Sequence, residues 1–205
     1  MRLNAPRVPD PADAPALRWG ILGPGWIADE LTTSLRRTKQ EVVAVGSRSS
    51  ERASAFAARH GIDPAHAHGS YEALVADDLV DVVYVATPHS EHHEHALLAI
   101  AAGRHVLVEK AFTATAAQAR AVVDAARAAD VFCMEAMWTR FLPHVDVLRQ
   151  VLDAGLLGEV STVLADHSMD WSVATNATSD AISTKASAPA MLSSSCAGVP
   201  TTKAR

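Results

Sequence analysis

Gly23-Pro24-Gly25-Trp26-Ile27-Ala28 fits the pattern G-x-G-x-x-G/A, with an apolar run, Leu17 to Leu22, before it and a helix-length stretch, Trp26 to Arg37, after it. In that strand–turn–helix setting Gly23 permits a tight turn, Gly25 lets a ligand approach the backbone, and Ala28 lets the helix pack closely. The ligand such a turn holds is a phosphate. The free N–H groups of the first helical turn, at Trp26 and Ile27, and the positive end of the helix both favour an anion.

A second group follows about 20 residues later, at the end of the next apolar run, Glu41 to Gly46, where an NAD site places an acid to hold the ribose 2′-hydroxyl. Here the chain reads Gly46-Ser47-Arg48-Ser49, with no acid before Glu51. Arg48 can pair with a 2′-phosphate and Ser47 can donate to it. The reading is therefore NADP(H), with NAD(H) the less favoured cofactor.

Two more groups stand just past apolar runs. Thr87-Pro88-His89-Ser90 follows Asp81 to Ala86, and Glu109-Lys110 follows His105 to Val108. Carboxyl ends of parallel strands are where ligands bind in such sheets, and a lysine there is better placed to face cofactor and substrate than to sit in a core. The run His89-Ser90-Glu91-His92-His93-Glu94-His95 pairs His89 with His93 and Glu91 with His95 at helical spacing. No distant cysteine or acid of matching pattern completes a metal site, and hydride transfer needs none, so no metal is expected.

The elements that must position these residues alternate. Strands are expected at 17–22, 41–46, around Ala67, at 81–86, 105–108 and 131–134. Helices are expected at 26–37, 51–59, 71–75, 91–101 and 116–129, with Gly61 and Gly103 as stops. Near-continuous apolar strands alternating with helices imply an α/β fold, a doubly wound parallel sheet covered on both faces. Residues 17–143 form this Rossmann unit. Residues 144–167 read as a linking helix, Val145 to Leu152, and one further strand, Gly158 to Leu164, that leaves the Rossmann unit. Residues 1–16, rich in Pro and Ala, read as a disordered leader. Residues 168–205, rich in Ser, Thr and Ala without apolar periodicity, read as a disordered or frame-shifted tail.

Composition narrows the class further. The chain has 205 residues, 49% of them hydrophobic, and a net charge of -5, which suits a packed core. No basic run interleaved with aromatics appears, so nucleic acid is not the expected partner. No apolar run approaches the ~20 residues of a membrane span and no signal peptide opens the chain. Cys133 and Cys196 give neither a disulfide framework nor a metal motif. The expected setting is cytoplasmic.

On these residues the chain resembles the glucose–fructose oxidoreductase/inositol dehydrogenase (Gfo/Idh/MocA) family, and within it the branch of dimeric dihydrodiol dehydrogenases and NADP-dependent D-xylose dehydrogenases. The resemblance runs from about Leu17 to Asp166. It rests on Trp19 to Ala28, on Thr87 to His92, on Glu109-Lys110 and most specifically on Met134-Glu135-Ala136-Met137-Trp138-Thr139-Arg140-Phe141-Leu142-Pro143. It implies hydride transfer between NADP and a sugar or cyclic diol, with Lys110 as the active-site lysine. It also implies that Pro88, His89 and His92 surround the cofactor, that Trp138 and Arg140 close the site from the far side, and that full-length members form homodimers. The family's Glu-Lys-Pro reads Glu109-Lys110-Ala111 here, and a cis bond before alanine costs roughly 2.5–4 kcal/mol, so the lysine is expected to sit somewhat differently. Only the first strand of the family's second domain is recognisable. The alternative reading is a non-catalytic NADP(H)-binding protein.

Overall fold

In a computed structural model, which describes residues 4–165, the chain forms six parallel strands. These are β1 (Arg18–Leu22), β2 (Glu41–Gly46), β3 (Ala67–His68), β4 (Val82–Val85), β5 (His105–Val108) and β6 (Cys133–Glu135). Their order is β3-β2-β1-β4-β5-β6, that of a doubly wound dinucleotide-binding sheet with its switch point between β1 and β4. The helices between them are α1 (Trp26–Leu35), α2 (Ser50–His60), α3 (Tyr71–Val75), α4 (His92–Ala101) and α5 (Ala116–Ala128). A sixth, α6 (Pro143–Asp153), follows β6.

Side chains alternate between the two faces of the sheet, as the two-residue period of a strand dictates. Leu22, Ala44, Val83, Val85, Val106 and Val108 enter one core with Leu74, Ala96, Ile100 and Val122. Ile21, Val45 and Tyr84 enter the other with Ala28, Ala53 and Phe56. Each buried Val, Leu or Ile stabilises the fold by roughly 1.5–3 kcal/mol. Helix starts carry their caps: Ser49, Ser70 and Thr115 each accept an N–H from the first turn. Gly61, at φ 63, ends α2 in the left-handed region.

Several boundaries differ from the expected ones. The last strand of the unit lies at Cys133–Glu135 rather than 131–134, because Val106, Leu107 and Val108 pair with Cys133, Met134 and Glu135. The expected strand Gly158 to Leu164 does not form; residues 158–165 pair with no strand, and Val163 and Leu164 stand exposed. A strand needs a neighbour for its N–H and C=O groups, and none of the described segments supplies one. The expected disordered leader is also corrected from residue 4 onward. Its Arg7 forms an ion pair with Asp146 of α6 at 2.9 Å, and Gln150 donates to the Ala5 carbonyl at 3.1 Å. The chain divides into units 1–159 and 160–205, and the expected tail at 168–205 lies outside the described residues. Among the described residues no helix is long and apolar enough to cross a membrane.

Candidate functional site

The carboxyl ends of β2, β1, β4 and β5 lie side by side: Leu22 is in register with Gly46 and with Val85, and Val85 with Val108. The residues that follow them line one cleft of ≈ 590 Å³. From the turn after β1 come Gly23, Gly25, Trp26 and Ile27. Gly23 has φ 97, and a Cβ there would stand 2.9 Å from the Thr87 side chain and 3.1 Å from the Ala86 backbone, so no other residue fits without strain. Gly25 is the N-cap of α1, with no capping side chain, and a Cβ on it would meet nothing within 4 Å. The next two amides, Trp26 and Ile27, have no backbone partner among the described residues. This cradle of open amides at a helix N-terminus is suited to an anion.

From the end of β2 come Ser47, Arg48, Ser49 and Arg52. Ser47 is buried, held by its amide on the His68 carbonyl at 3.1 Å. The Arg48 guanidinium is largely exposed and lies 3.5 Å from the Glu91 carboxylate. Arg52 was missed by reading strand ends alone. It sits in the first turn of α2, and its guanidinium reaches back to the Pro24 carbonyl at 3.4 Å. The signal available was its position three residues after the N-cap Ser49, which turns it towards the sheet edge. Glu51, the nearest acid, does not line the cleft. It accepts the Ser49 hydroxyl at 2.6 Å, a bond that lowers its carboxyl below the ordinary value.

The opposite end is built from Ala86, Thr87, Pro88, His89, Glu109 and Lys110. The Thr87 hydroxyl contacts His95 Nδ1 at 2.9 Å, and burial pushes the His95 imidazole below its usual value. Glu109 accepts the buried Tyr84 hydroxyl at 2.5 Å. Lys110 is exposed and, among the described residues, forms no ion pair. The Lys110–Ala111 peptide is cis.

Three expected site residues are placed elsewhere. His92 is fully buried and does not line the cleft. Its Nε2 lies 2.9 Å from the Thr87 carbonyl and its Nδ1 2.8 Å from that of Ala111, so it joins the loops after β4 and β5 from behind. Trp138 and Arg140 stand in a 3-10 turn beyond β6, Trp138 exposed and Arg140 lining a separate recess with Phe112, Cys133 and Glu135. Burial pushes the Cys133 thiol up to about 11, which leaves it unreactive. In the 89–95 run the His89 and His92 rings meet edge to face at 5.3 Å and His95 Nδ1 lies 3.9 Å from the Glu91 carboxylate, and among the described residues the one group close enough to hold a metal ion is elsewhere, at His66, His68 and Asp77.

The family model described as "Oxidoreductase family, NAD-binding Rossmann fold" (GFO_IDH_MocA) matches residues 17–137. D-xylose 1-dehydrogenase (NADP(+)) of Hypocrea jecorina is 46% identical over 165 residues, 75% of this chain and 42% of that protein. Trans-1,2-dihydrobenzene-1,2-diol dehydrogenase of Bos taurus is 46% identical over 154 residues, 74% of this chain and 45% of that protein. Among solved structures, KijD10, a 3-ketoreductase from Actinomadura kijaniata in complex with NADP, is 34% identical with a TM-score of 0.64, covering 71% of this chain and 46% of that one. The chain spans about half the length of the curated relatives it matches.

Proposed function

The chain belongs to the Gfo/Idh/MocA oxidoreductase family with its NAD-binding Rossmann fold, and from that premise we propose that it binds NADP(H) in the cleft described above for hydride transfer with a sugar or cyclic diol. One observation carries the reading. A single cleft joins the uncapped start of α1, two guanidinium groups at one end and an exposed lysine at the other. The residues fit the cofactor: open amides for the pyrophosphate, no acid lining the place of a 2′-hydroxyl, and paired cations for a 2′-phosphate.

When bound, the cofactor supplies a hydride donor or acceptor. The protein does the rest. Trp26 and Ile27 amides hold the pyrophosphate, while Ser47, Arg48 and Arg52 hold the 2′-phosphate. Thr87, Pro88 and His89 shape the middle of the cleft, and His92 keeps their loop in place from the core. Lys110 would face the reacting oxygen: as the ammonium it would give a carbonyl the proton it gains on reduction, and as the neutral amine it would take the proton a hydroxyl loses on oxidation. Trp138 and Arg140, which lie outside this cleft, carry only the role the family resemblance implies, on the far side of the substrate. The named activities of the xylose and dihydrodiol dehydrogenases support the substrate class, and a reducing, cytoplasmic setting suits the free thiol of Cys133.

Fluorescence titration of the full chain with NADPH and NADH tests this reading. Tighter binding of NADPH is expected. Arg48→Ala and Arg52→Ala should each remove a charge-assisted contact of roughly 1.5–3 kcal/mol, weakening NADPH roughly ten- to hundredfold while leaving NADH unchanged. Equal affinities for the two nucleotides would overturn it.

A further inference from the structure

At the outer edge of the sheet, away from the phosphate cradle, two imidazoles converge on one carboxylate oxygen. His66 closes the 3-10 turn Pro64–His66, His68 ends β3, and Asp77 follows α3. His66 Nδ1 lies 2.6 Å and His68 Nε2 2.8 Å from the same atom, Asp77 Oδ2, and the three side chains' ligand atoms all lie within 4.8 Å of one another. The other carboxylate oxygen, Oδ1, accepts the Leu79 amide at 3.0 Å, which fixes the carboxylate plane and leaves Oδ2 facing the histidines. The Asp77 side chain is 6% exposed, against 28% and 19% for His66 and His68. The carboxylate is therefore sunk, with the imidazoles at a rim that solvent reaches.

We propose that His66, His68 and Asp77 bind a divalent transition-metal ion of the zinc class. Two imidazole nitrogens and one carboxylate oxygen are the donors such an ion takes, and three protein ligands leave a fourth position for water at the exposed rim. With neutral imidazoles the set carries one negative charge, so a dication is partly neutralised where an anion or a second carboxylate would not be. Tetrahedral ligation at about 2.0–2.2 Å separates ligand atoms by roughly 3.4 Å. The rim imidazoles reach that spacing by opening about 0.6–0.8 Å from their present contacts with Oδ2. Each ligating nitrogen must be unprotonated, so His66 carries its proton on Nε2 and His68 on Nδ1 in the bound form. The ion would brace the cleft wall, since the His68 carbonyl accepts the Ser47 amide at 3.1 Å and Tyr71, also lining the cleft, opens α3.

The test strips the full chain with a chelator, then titrates it with Zn²⁺ by calorimetry and with Co²⁺ by visible absorption. The expected result is one ion per chain, the intense d–d bands of four-coordinate cobalt and a rise in Tm with Zn²⁺. His66→Ala and His66→Gln should each weaken binding by at least the 10–100-fold that even outer-shell changes cost, and the Gln variant, which keeps a polar contact to Asp77, guards against misfolding. His93→Ala should leave binding unchanged. Absence of binding at millimolar ion, or binding undiminished in both His66 variants, overturns the proposal.

Discussion

Tyr84, 1% exposed as a residue, donates its hydroxyl to Glu109 Oε1 at 2.5 Å, while Glu109 Oε2 accepts the Lys110 amide at 3.1 Å. A carboxylate at the cleft mouth is thus aimed from the core, and through it the backbone that carries Lys110. Burial, with the Glu109 carboxylate beside it, holds the Tyr84 hydroxyl protonated far above its usual range. Tyr84→Phe keeps the packing and deletes only this donor. Loss of a hydrogen bond to a charged group costs about 1.5–3 kcal/mol, so calorimetry should record a Tm lower by several degrees. An unchanged Tm would mean the bond contributes nothing.

Gly23 and Gly25 predict opposite outcomes for the same substitution. Gly23→Ala forces a side chain to φ 97 and to 2.9 Å from Thr87, so stability falls by at least about 1–2 kcal/mol. Gly25→Ala places its methyl in open cleft, so Tm holds while nucleotide affinity drops. Thermal melts and NADPH titration of the pair check both halves, and a Gly25→Ala protein binding normally would show that no ligand approaches that backbone.

Arg18 and Asp81 set an acid limit. The guanidinium of Arg18 bonds the Asp81 carboxylate at 2.6 Å and 3.0 Å, and the Arg18 amide adds a third bond at 2.9 Å, holding that carboxyl at about 2. An unfolded aspartate titrates near 3.9. A depressed folded value means this contribution is fully present above about pH 4 and is lost as pH falls toward 2. The side chains are 42% and 32% exposed, so solvent screening keeps this contribution small. Urea midpoints between pH 5 and 2 (an expected window of roughly that width) should slope less in Asp81→Asn than in the parent.

Lys110 should matter to chemistry and not to folding. Its side chain is exposed and unpaired among the described residues, so Lys110→Met should leave the Tm of this chain within about 1 °C. The equivalent change in a full-length relative with the same Glu-Lys pair should cut kcat by on the order of 10²–10⁴-fold, the usual share of a positioned proton donor. Near-normal turnover there would make the lysine a surface charge only.

The sequence alone determined the elements whose signals are local. Glu41 to Gly46, Tyr71 to Val75 and His105 to Val108 fall where β-branched runs, capping residues and turn glycines place them, because those signals act within a few residues. The G-x-G-x-x-A turn and the loops after β4 and β5 were legible for the same reason: parallel strands alternating with helices bring their carboxyl ends to one edge whatever the details. Tertiary structure decided what depends on distant partners. Arg52 joins Arg48 because its guanidinium reaches across to the Pro24 carbonyl in the turn after β1, a partner 28 residues away. His92, three residues from cleft-lining His89, turns inward because two carbonyls from separate loops meet its ring. Gly158 to Leu164 has the composition of a strand yet stays unpaired among the described residues, since a strand exists only where another chain segment completes its hydrogen bonds. His66, His68 and Asp77 meet at one oxygen across eleven residues, a convergence no spacing rule contains, because it is set by where α3 returns to the sheet.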